Sequence, residues 1–462
     1  FQVTQIRDAV PSPDGKMLAF TALNEIYTVS LPDGEPKKIT SLDETQAQPV
    51  WSPDGKWITF VTWTPEGGKL YKIRPNGRNL TQLNKDQGVF QDPAWSNDGS
   101  RIILIKGQPE DFRNALQRTA FRGTSDLVWI DSDGGPNNFI TYTNGRSNPH
   151  FVQGNDRIFL SGFQGLSSIR WDGTDEKFHL EVRGSSAPGS TNRPRASLIK
   201  MAPQGDQALA QVGNHLFVVT VPMVGGEAPS ISVGGSSSSF PSSQLTEIGG
   251  QFPAWSSDAN KIHWSIGNAH VVYDLKDEKA YKDSLEIAKK MSEESKSDST
   301  ATDEKAKPKT DLGYKPLEFQ ISVMANRDTP SGVLVLRGAT VITMKGDEII
   351  RNADLVVENN RIKAVGAQGT VELPSGAETI DVSGKTIIPG FVDTHSHFRH
   401  PVNLHRGEFW PYLTNLAFGV ITTRDPQTAT TDVLTYGDLV DAGKLIGPRV
   451  YSTGPGVFSG EA

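Results

Sequence analysis

The sequence predicts a multidomain, β-rich chain: a β-propeller over residues 1–275, a run of short strands, and then the opening of a (β/α)8 barrel. Two observations carry this. A turn phrase recurs six times before residue 275, and a repeat spaced by roughly 40 to 57 residues points to a propeller or array. After residue 389, strands begin to alternate with helices, the pattern of parallel βα units.

The phrase is clearest as Pro11-Ser-Pro-Asp-Gly-Lys16, Trp51-Ser-Pro-Asp-Gly-Lys56 and Trp95-Ser-Asn-Asp-Gly-Ser100. Weaker copies are Phe151-Val-Gln-Gly-Asn-Asp156, Ala202-Pro-Gln-Gly-Asp206 and Trp255-Ser-Ser-Asp-Ala-Asn260. Pro presets the first turn dihedral, Asp tolerates the second, and Gly takes the position that needs an unusual backbone angle. Strands with two-residue alternation follow, such as Met17–Phe20 and Trp57–Phe60, then second strands such as Ile26–Val29 and Leu70–Ile73. A short fourth strand such as Lys38–Thr40 completes four per repeat, one propeller blade. The histidines of this region, His150, His179, His215, His263 and His270, are scattered singly and read as packing or surface residues.

Between residues 276 and 313 the chain turns Lys-, Glu-, Asp- and Ser-rich, and a mobile charged insertion is expected, with a short helix over Ser284–Met291. The strand over 315–324 is expected to return to the outer edge of the sixth blade, because an uncovered edge invites pairing with other chains. Short strands then fill 331–388: Gly332–Thr343, Ala353–Glu358, Arg361–Gly366, Thr379–Val382 and Lys385–Ile388.

Residues 389–462 carry the chemistry. Ile387-Ile-Pro-Gly-Phe-Val-Asp-Thr-His-Ser-His397 is an apolar run, a Pro-Gly break and a strand ending in His395-x-His397. Alternation along a strand sends both rings to one side, where they can share an ion. Neutral imidazole suits zinc and similar ions, and a catalytic site needs about three protein ligands plus an open position for water. His395, His397, His400 and His405 fall within eleven residues, although the chain has only nine histidines. Loop, helix (Glu408–Phe418), strand (Gly419–Arg424), helix (Thr430–Ala442, with Thr428, Thr430 and Thr431 as candidate caps and Gly443 as stop) and strand (Pro448–Thr453) follow. Histidines at a strand's C-terminal end fit the mouth of a barrel. Arg424 and Asp425 end the second strand and are candidate pocket residues. His400 and His405, in the first loop, are either pocket-lining or solvated.

Composition limits the partners. A net charge of −7 without a basic block argues against nucleic acid. No apolar run reaches the roughly 18 residues a membrane span needs. With no cysteine, disulfides and thiol chemistry are excluded. The chain begins at Phe1, so any targeting segment is expected to precede it.

The repeat region resembles TolB-like (PD40/WD40-like) propeller repeats, also seen beside peptidase domains, and six copies match a six-bladed wheel. The resemblance implies a binding or gating module and, for location, export or a periplasmic site. The stretch Pro389, Gly390, Asp393, His395 and His397 resembles the first barrel strand of the amidohydrolase superfamily. The preceding strands resemble the β-sandwich of imidazolonepropionase-like members. The expected fold is therefore a six-bladed β-propeller, the N-terminal part of a small β-sandwich, and an incomplete barrel of three βα units. A barrel takes roughly 250 residues, and only 73 run from Gly390 to Ala462.

The resemblance implies a metal-dependent amidohydrolase cleaving an amide or related C–N bond. One or two divalent ions, zinc by expectation, would be held by His395 and His397, with Asp393 in support. The base and remaining ligands would come from later strands, so this chain alone is expected to be inactive unless a second chain completes the barrel. A small amide or peptide-like substrate, and a protein partner at the propeller, are the expected ligands. The alternative is a non-enzymatic propeller interaction module with a degenerate amidohydrolase segment.

Overall fold

The computed structural model describes residues 1–114, 125–186, 191–222, 227–234, 240–297, 313–428 and 432–454. They form two compact units. One comprises Gln2–Val323 with Arg399–Gly407; the other comprises Phe1, Met324–Phe398 and Glu408–Gly456.

The first unit is propeller-like. Its described strands form six successive sheets whose first strands are Arg7–Pro11, Thr45–Trp51, Val89–Trp95, Ser147–His150, Leu198–Met201 and Gln251–Trp255. Neighbouring first strands touch from sheet to sheet, and the first also touches the sixth. The ring is stitched by indole groups: Trp51 Nε1 donates to the Val10 carbonyl at 3.1 Å and Trp255 Nε1 to the Lys200 carbonyl at 3.2 Å. Ser257 Oγ donates to the Pro13 carbonyl at 2.6 Å, joining sixth sheet to first. The apolar core lies in wedges between adjacent sheets. Ile26 and Ala19 meet Phe60 and Tyr71 between the first two, and Ile103 and Leu127 meet Ile158 and Leu160 between third and fourth.

The turn phrase folds on itself within five residues. In the first three copies and the sixth, Ser Oγ donates to Asp Oδ1 at 2.6 Å (Ser12–Asp14, Ser52–Asp54, Ser96–Asp98, Ser256–Asp258). The same Asp accepts the N–H two residues on, as from Lys56 at 3.1 Å. The Ser52 hydroxyl, followed by the Lys56 amide, holds the Asp54 carboxyl down at about 2. Gly15, Gly55 and Gly99 sit at φ near +70°, which a side chain disfavours.

Two features of the insertion region follow from local chemistry. A helix runs over Leu275–Ser297, longer than the Ser284–Met291 expected. Asp274 caps it by accepting the Lys276 and Asp277 N–H groups at 2.9 and 3.2 Å, and Glu278 pairs with Lys282 one turn on. The rest of the expected mobile insertion, 298–312, lies outside the described residues. Leu317–Gln320 then pairs antiparallel with Ala269–Val272 as the outer strand of the sixth sheet. Among the described residues, no helix is long and apolar enough to cross a membrane.

In the second unit, β1 (Val333–Ile342), β2 (Ile349–Glu358), β3 (Arg361–Ala367), β4 (Glu378–Asp381) and β5 (Thr386–Ile387) form one sheet. β1 and β2 pair antiparallel, as do β2 and β3, whereas β4 and β5 join β1 in parallel. A separate parallel sheet, order β6-β7-β8, holds β6 (Phe391–Asp393), β7 (Val420–Asp425) and β8 (Arg449–Ser452). Helices α1 (Trp410–Ala417) and α2 (Asp432–Asp441) make the crossovers. Of the candidate caps of α2, Thr430 and Thr431 lie outside the described residues, and Thr428 is buried with its N–H on the Gly454 carbonyl at 3.0 Å. Gly443, at φ +69°, closes α2 with its N–H on the Val440 carbonyl, as a C-terminal glycine should.

Candidate metal centre

β6 ends at Asp393, so His395 and His397 lie in the turn just beyond it rather than on the strand. Their common side is set by the turn and not by strand alternation. Asp393 Oδ1 accepts the His395 N–H at 3.0 Å, and the Ser396 N–H donates to the Arg424 carbonyl at 2.9 Å, extending the β6-β7 pairing past the strand. The two imidazole rings are 5.0 Å apart between centroids and nearly perpendicular, at 82°. Both side chains are exposed.

Asp425 lies beneath them, fully buried at the end of β7. Its Oδ1 is 3.4 Å from His397 Nδ1, and its two oxygens accept the Gln427 N–H at 3.0 Å and the Phe398 N–H at 3.2 Å. This arrangement turns His397 Nε2 away from the carboxylate, the orientation of a histidine whose second nitrogen is free to bind an ion. Phe398, buried against Tyr412 (5.1 Å) and Phe409 (6.2 Å), anchors the segment from the other side. Sequence reasoning missed this anchor; its signal is the aromatic grouping Phe398, Phe409, Tyr412 and Tyr436.

Three expectations need correction. Arg424 and Asp425 do not face one side: along β7, Thr423 and Asp425 are buried and Arg424 is exposed, as alternation in a strand requires. Asp425 supports His397 rather than lining a pocket. His400 and His405 are neither solvated nor pocket-lining. Both are fully buried, and their loop, Arg399–Gly407, belongs to the propeller-like unit. There His405 Nδ1 meets Asn24 Oδ1 at 2.9 Å, Arg7 Nη2 donates to the Asn403 carbonyl at 2.6 Å, and Leu404 is buried with Trp63, Val89 and Phe112. The apolar Val402 and Leu404 within an otherwise polar loop were the available signal.

Among the described residues, no group of three or more His, Asp or Glu side chains could hold a metal ion. The pair with its buried carboxylate is chemically suited to a divalent ion as part of a larger ligand set. The propeller histidines are structural. His150 bridges the fourth and fifth sheets, with Nδ1 on the Asn148 carbonyl at 2.8 Å and Nε2 accepting the Met201 N–H at 2.9 Å. Burial pushes it down to about 3. His263 and His270, read as isolated, face each other across neighbouring strands at 3.1 Å, and burial lowers them to about 4 and about 3.

The family described as the TolB beta propeller domain (PD40) matches residues 8–153. An allantoinase from Streptomyces avermitilis is 39% identical over 90 residues, covering 20% of this chain and 19% of the allantoinase. A dihydroorotase from Geobacter metallireducens is 41% identical over 70 residues, 15% of each chain. The chain thus spans under a fifth of the length of these relatives. Among solved structures, TolB from Acinetobacter baumannii aligns with a TM-score of 0.37 at 18% identity, covering 53% of this chain and 55% of that one. The chain therefore resembles TolB-type propellers in its first part and, over a short segment, amidohydrolases.

Proposed function

We propose that the chain is part of a metal-dependent hydrolase of an amide or related C–N bond, with a six-bladed propeller as substrate filter or docking module. The observation that carries this reading is His397 backed by the buried Asp425, with His395 5.0 Å away. Local similarity to proteins named allantoinase and dihydroorotase supports the reaction class. In this reading β1–β5 are the N-terminal part of a β-sandwich and β6–β8 the first strands of a (β/α)8 barrel. The exposed apolar side chains of Phe391, Val392, Ile421 and Tyr451 support a sheet that is covered and continued in the intact enzyme.

His395 and His397 would hold one or two divalent ions, zinc by the chemistry of imidazole donors. When bound, the ion supplies Lewis acidity toward water and a substrate carbonyl. Asp425 keeps the His397 Nδ1 side occupied and so directs Nε2 outward. Asp393 fixes the backbone at His395. Arg424, on the other face of β7 from Asp425, is given no role at the metal. The remaining ligands and the base would come from further strands, so the chain by itself should not turn over substrate unless another chain completes the barrel.

The second reading, a propeller interaction module with a degenerate hydrolase segment, is favoured by the lack of a third ligand among the described residues. The ratio of metal to chain separates the two. Wild type, His395→Ala and Asp425→Asn are dialysed against metal-free buffer and measured by elemental mass spectrometry. Retention of one or two zinc-like ions by wild type, loss in His395→Ala, and affinity reduced roughly 10- to 100-fold in Asp425→Asn would support the hydrolase. A wild-type chain that retains no metal carries half a site, and the propeller is then the part left to assign a function to.

A further inference from the structure

The second and third turn phrases bound a cavity of about 420 Å³, within the range of small-molecule sites. Asp54 and Trp57 line it from the second sheet, Trp95 and Asp98 from the third, and Asp133 follows the third strand of the third sheet. Lys72, from the third strand of the second sheet, forms part of the wall, with its side chain only 8% exposed. Its ammonium donates to the Ser132 carbonyl at 2.6 Å and to Asp133 Oδ1 at 2.9 Å, and lies 4.8 Å from the centre of the Trp57 ring. The Arg74 guanidinium lies 4.0 Å from the same ring, so the indole is held in place.

The junction of these two sheets also departs from its counterparts. Trp51 and Trp255 end the first strands of the second and sixth sheets, and each gives its indole N–H to a backbone carbonyl of the preceding sheet. Trp95 holds the same place in the third sheet, yet its buried Nε1 has no hydrogen-bond partner among the described residues. Buried polar groups in folded proteins are nearly always paired, so a donor left without an acceptor calls for an explanation. Here the unmatched donor belongs to a side chain that lines a cavity, at a junction where the usual stitch is missing.

We propose that this cavity binds a neutral sugar, whose hydroxyl groups donate to the carboxylates of Asp54, Asp98 and Asp133 and one of whose oxygens accepts the Trp95 N–H. The lining decides the charge. Three carboxylates repel an anion, and the one ammonium among them is already engaged by Ser132 and Asp133. A metal ion or an organic cation would suit the carboxylates but offers no acceptor to the indole. A hydroxyl both donates and accepts, and the C–H faces of a sugar ring match the apolar surfaces of Trp57 and Trp95. The site lies within the propeller-like unit and uses none of the residues placed at the metal, so it stands or falls independently of the hydrolase reading.

Isothermal titration of the whole chain with D-glucose, D-galactose, D-mannose, N-acetyl-D-glucosamine and their common disaccharides tests this, with putrescine as the cationic control and the uronate of any sugar that binds as the anionic one. Saturable binding of at least one neutral sugar is expected, with its uronate and putrescine weaker. Trp95→Phe removes the unmatched N–H and should weaken the sugar roughly 3- to 10-fold. Trp51→Phe loses the same ring atoms together with its bond to the Val10 carbonyl; it should lower the urea midpoint at least as much and leave sugar affinity unchanged. The proposal is overturned if no neutral sugar binds, or if putrescine or the uronate binds as tightly. It is equally overturned if Trp95→Phe binds the sugar as wild type does, or if the two tryptophan variants change its affinity alike, which would mark general damage.

Discussion

Lowering the pH from 7 to 5 should destabilise the propeller-like unit by about 2 kcal/mol through His150 alone. The neutral ring is committed at both nitrogens: Nδ1 donates to the Asn148 carbonyl, and Nε2 accepts the Met201 N–H. A proton on Nε2 would oppose that N–H inside a buried contact. The folded ring therefore stays neutral down to about 3, while the unfolded one titrates at its ordinary 6.5. Because the folded pKa is depressed, the unfolded chain binds more protons between about 3 and 6.5. Stability from this group is thus full above 6.5 and falls as the pH drops through that window. Integrated from pH 7 to 5, the linkage gives about 2 kcal/mol, a substantial part of a typical 5–15 kcal/mol. His263 and His270 add in the same direction. Urea titrations followed by tryptophan fluorescence read the right unit, since eight of the nine tryptophans lie within residues 2–323. His150→Gln keeps an acceptor for the Met201 N–H and cannot titrate, so it should flatten the pH dependence by about 2 kcal/mol relative to wild type. Parallel pH profiles for the two proteins would refute the reasoning.

Two further substitutions test packing and backbone. Leu404→Ala, although 81 residues beyond the end of Gln2–Val323, should destabilise the propeller-like unit by about 2–5 kcal/mol, because Leu404 is buried among Trp63, Val89 and Phe112; an unchanged urea midpoint would count against that packing. Gly55→Ala and Gly165→Ala should differ. At Gly55 a Cβ meets only the Pro13 ring at 3.6 Å, so the cost is the φ of +69°, about 1 kcal/mol. At Gly165 it would lie 2.2 Å from the Leu180 carbonyl oxygen, and the loss should be several-fold larger in the same melt. Equal losses would contradict the steric account.

The sequence by itself determined what is set within a few residues. Ser, Asp and Gly at fixed offsets close the first three turns through bonds spanning no more than five residues, so the repeat and its hairpins were legible in the letters. The strand-helix alternation after residue 389 was legible for the same reason, since α1, α2 and the strands around them follow local periodicity and a glycine stop. So was the local match around His395 and His397. Helix Leu275–Ser297 was underestimated because capping by Asp274 and a Glu–Lys pair sustain a helix that buries little.

Tertiary structure decided everything that depends on residues far apart in the chain. Burial of Asp425 under His397 reflects the parallel pairing of β6 with β7, and the same pairing sends Arg424 to the opposite face. His400 and His405 read as loop histidines because the partners of their segment, Asn24, Arg7 and Phe112, lie nearly three hundred residues or more away. The link from Asp8 through Gln48 and Asp92 to Asn148 exists only because four successive sheets lie side by side. Local hydrogen bonds and periodicity are written in neighbouring residues. Which charges and rings share one space is fixed only when the chain returns on itself.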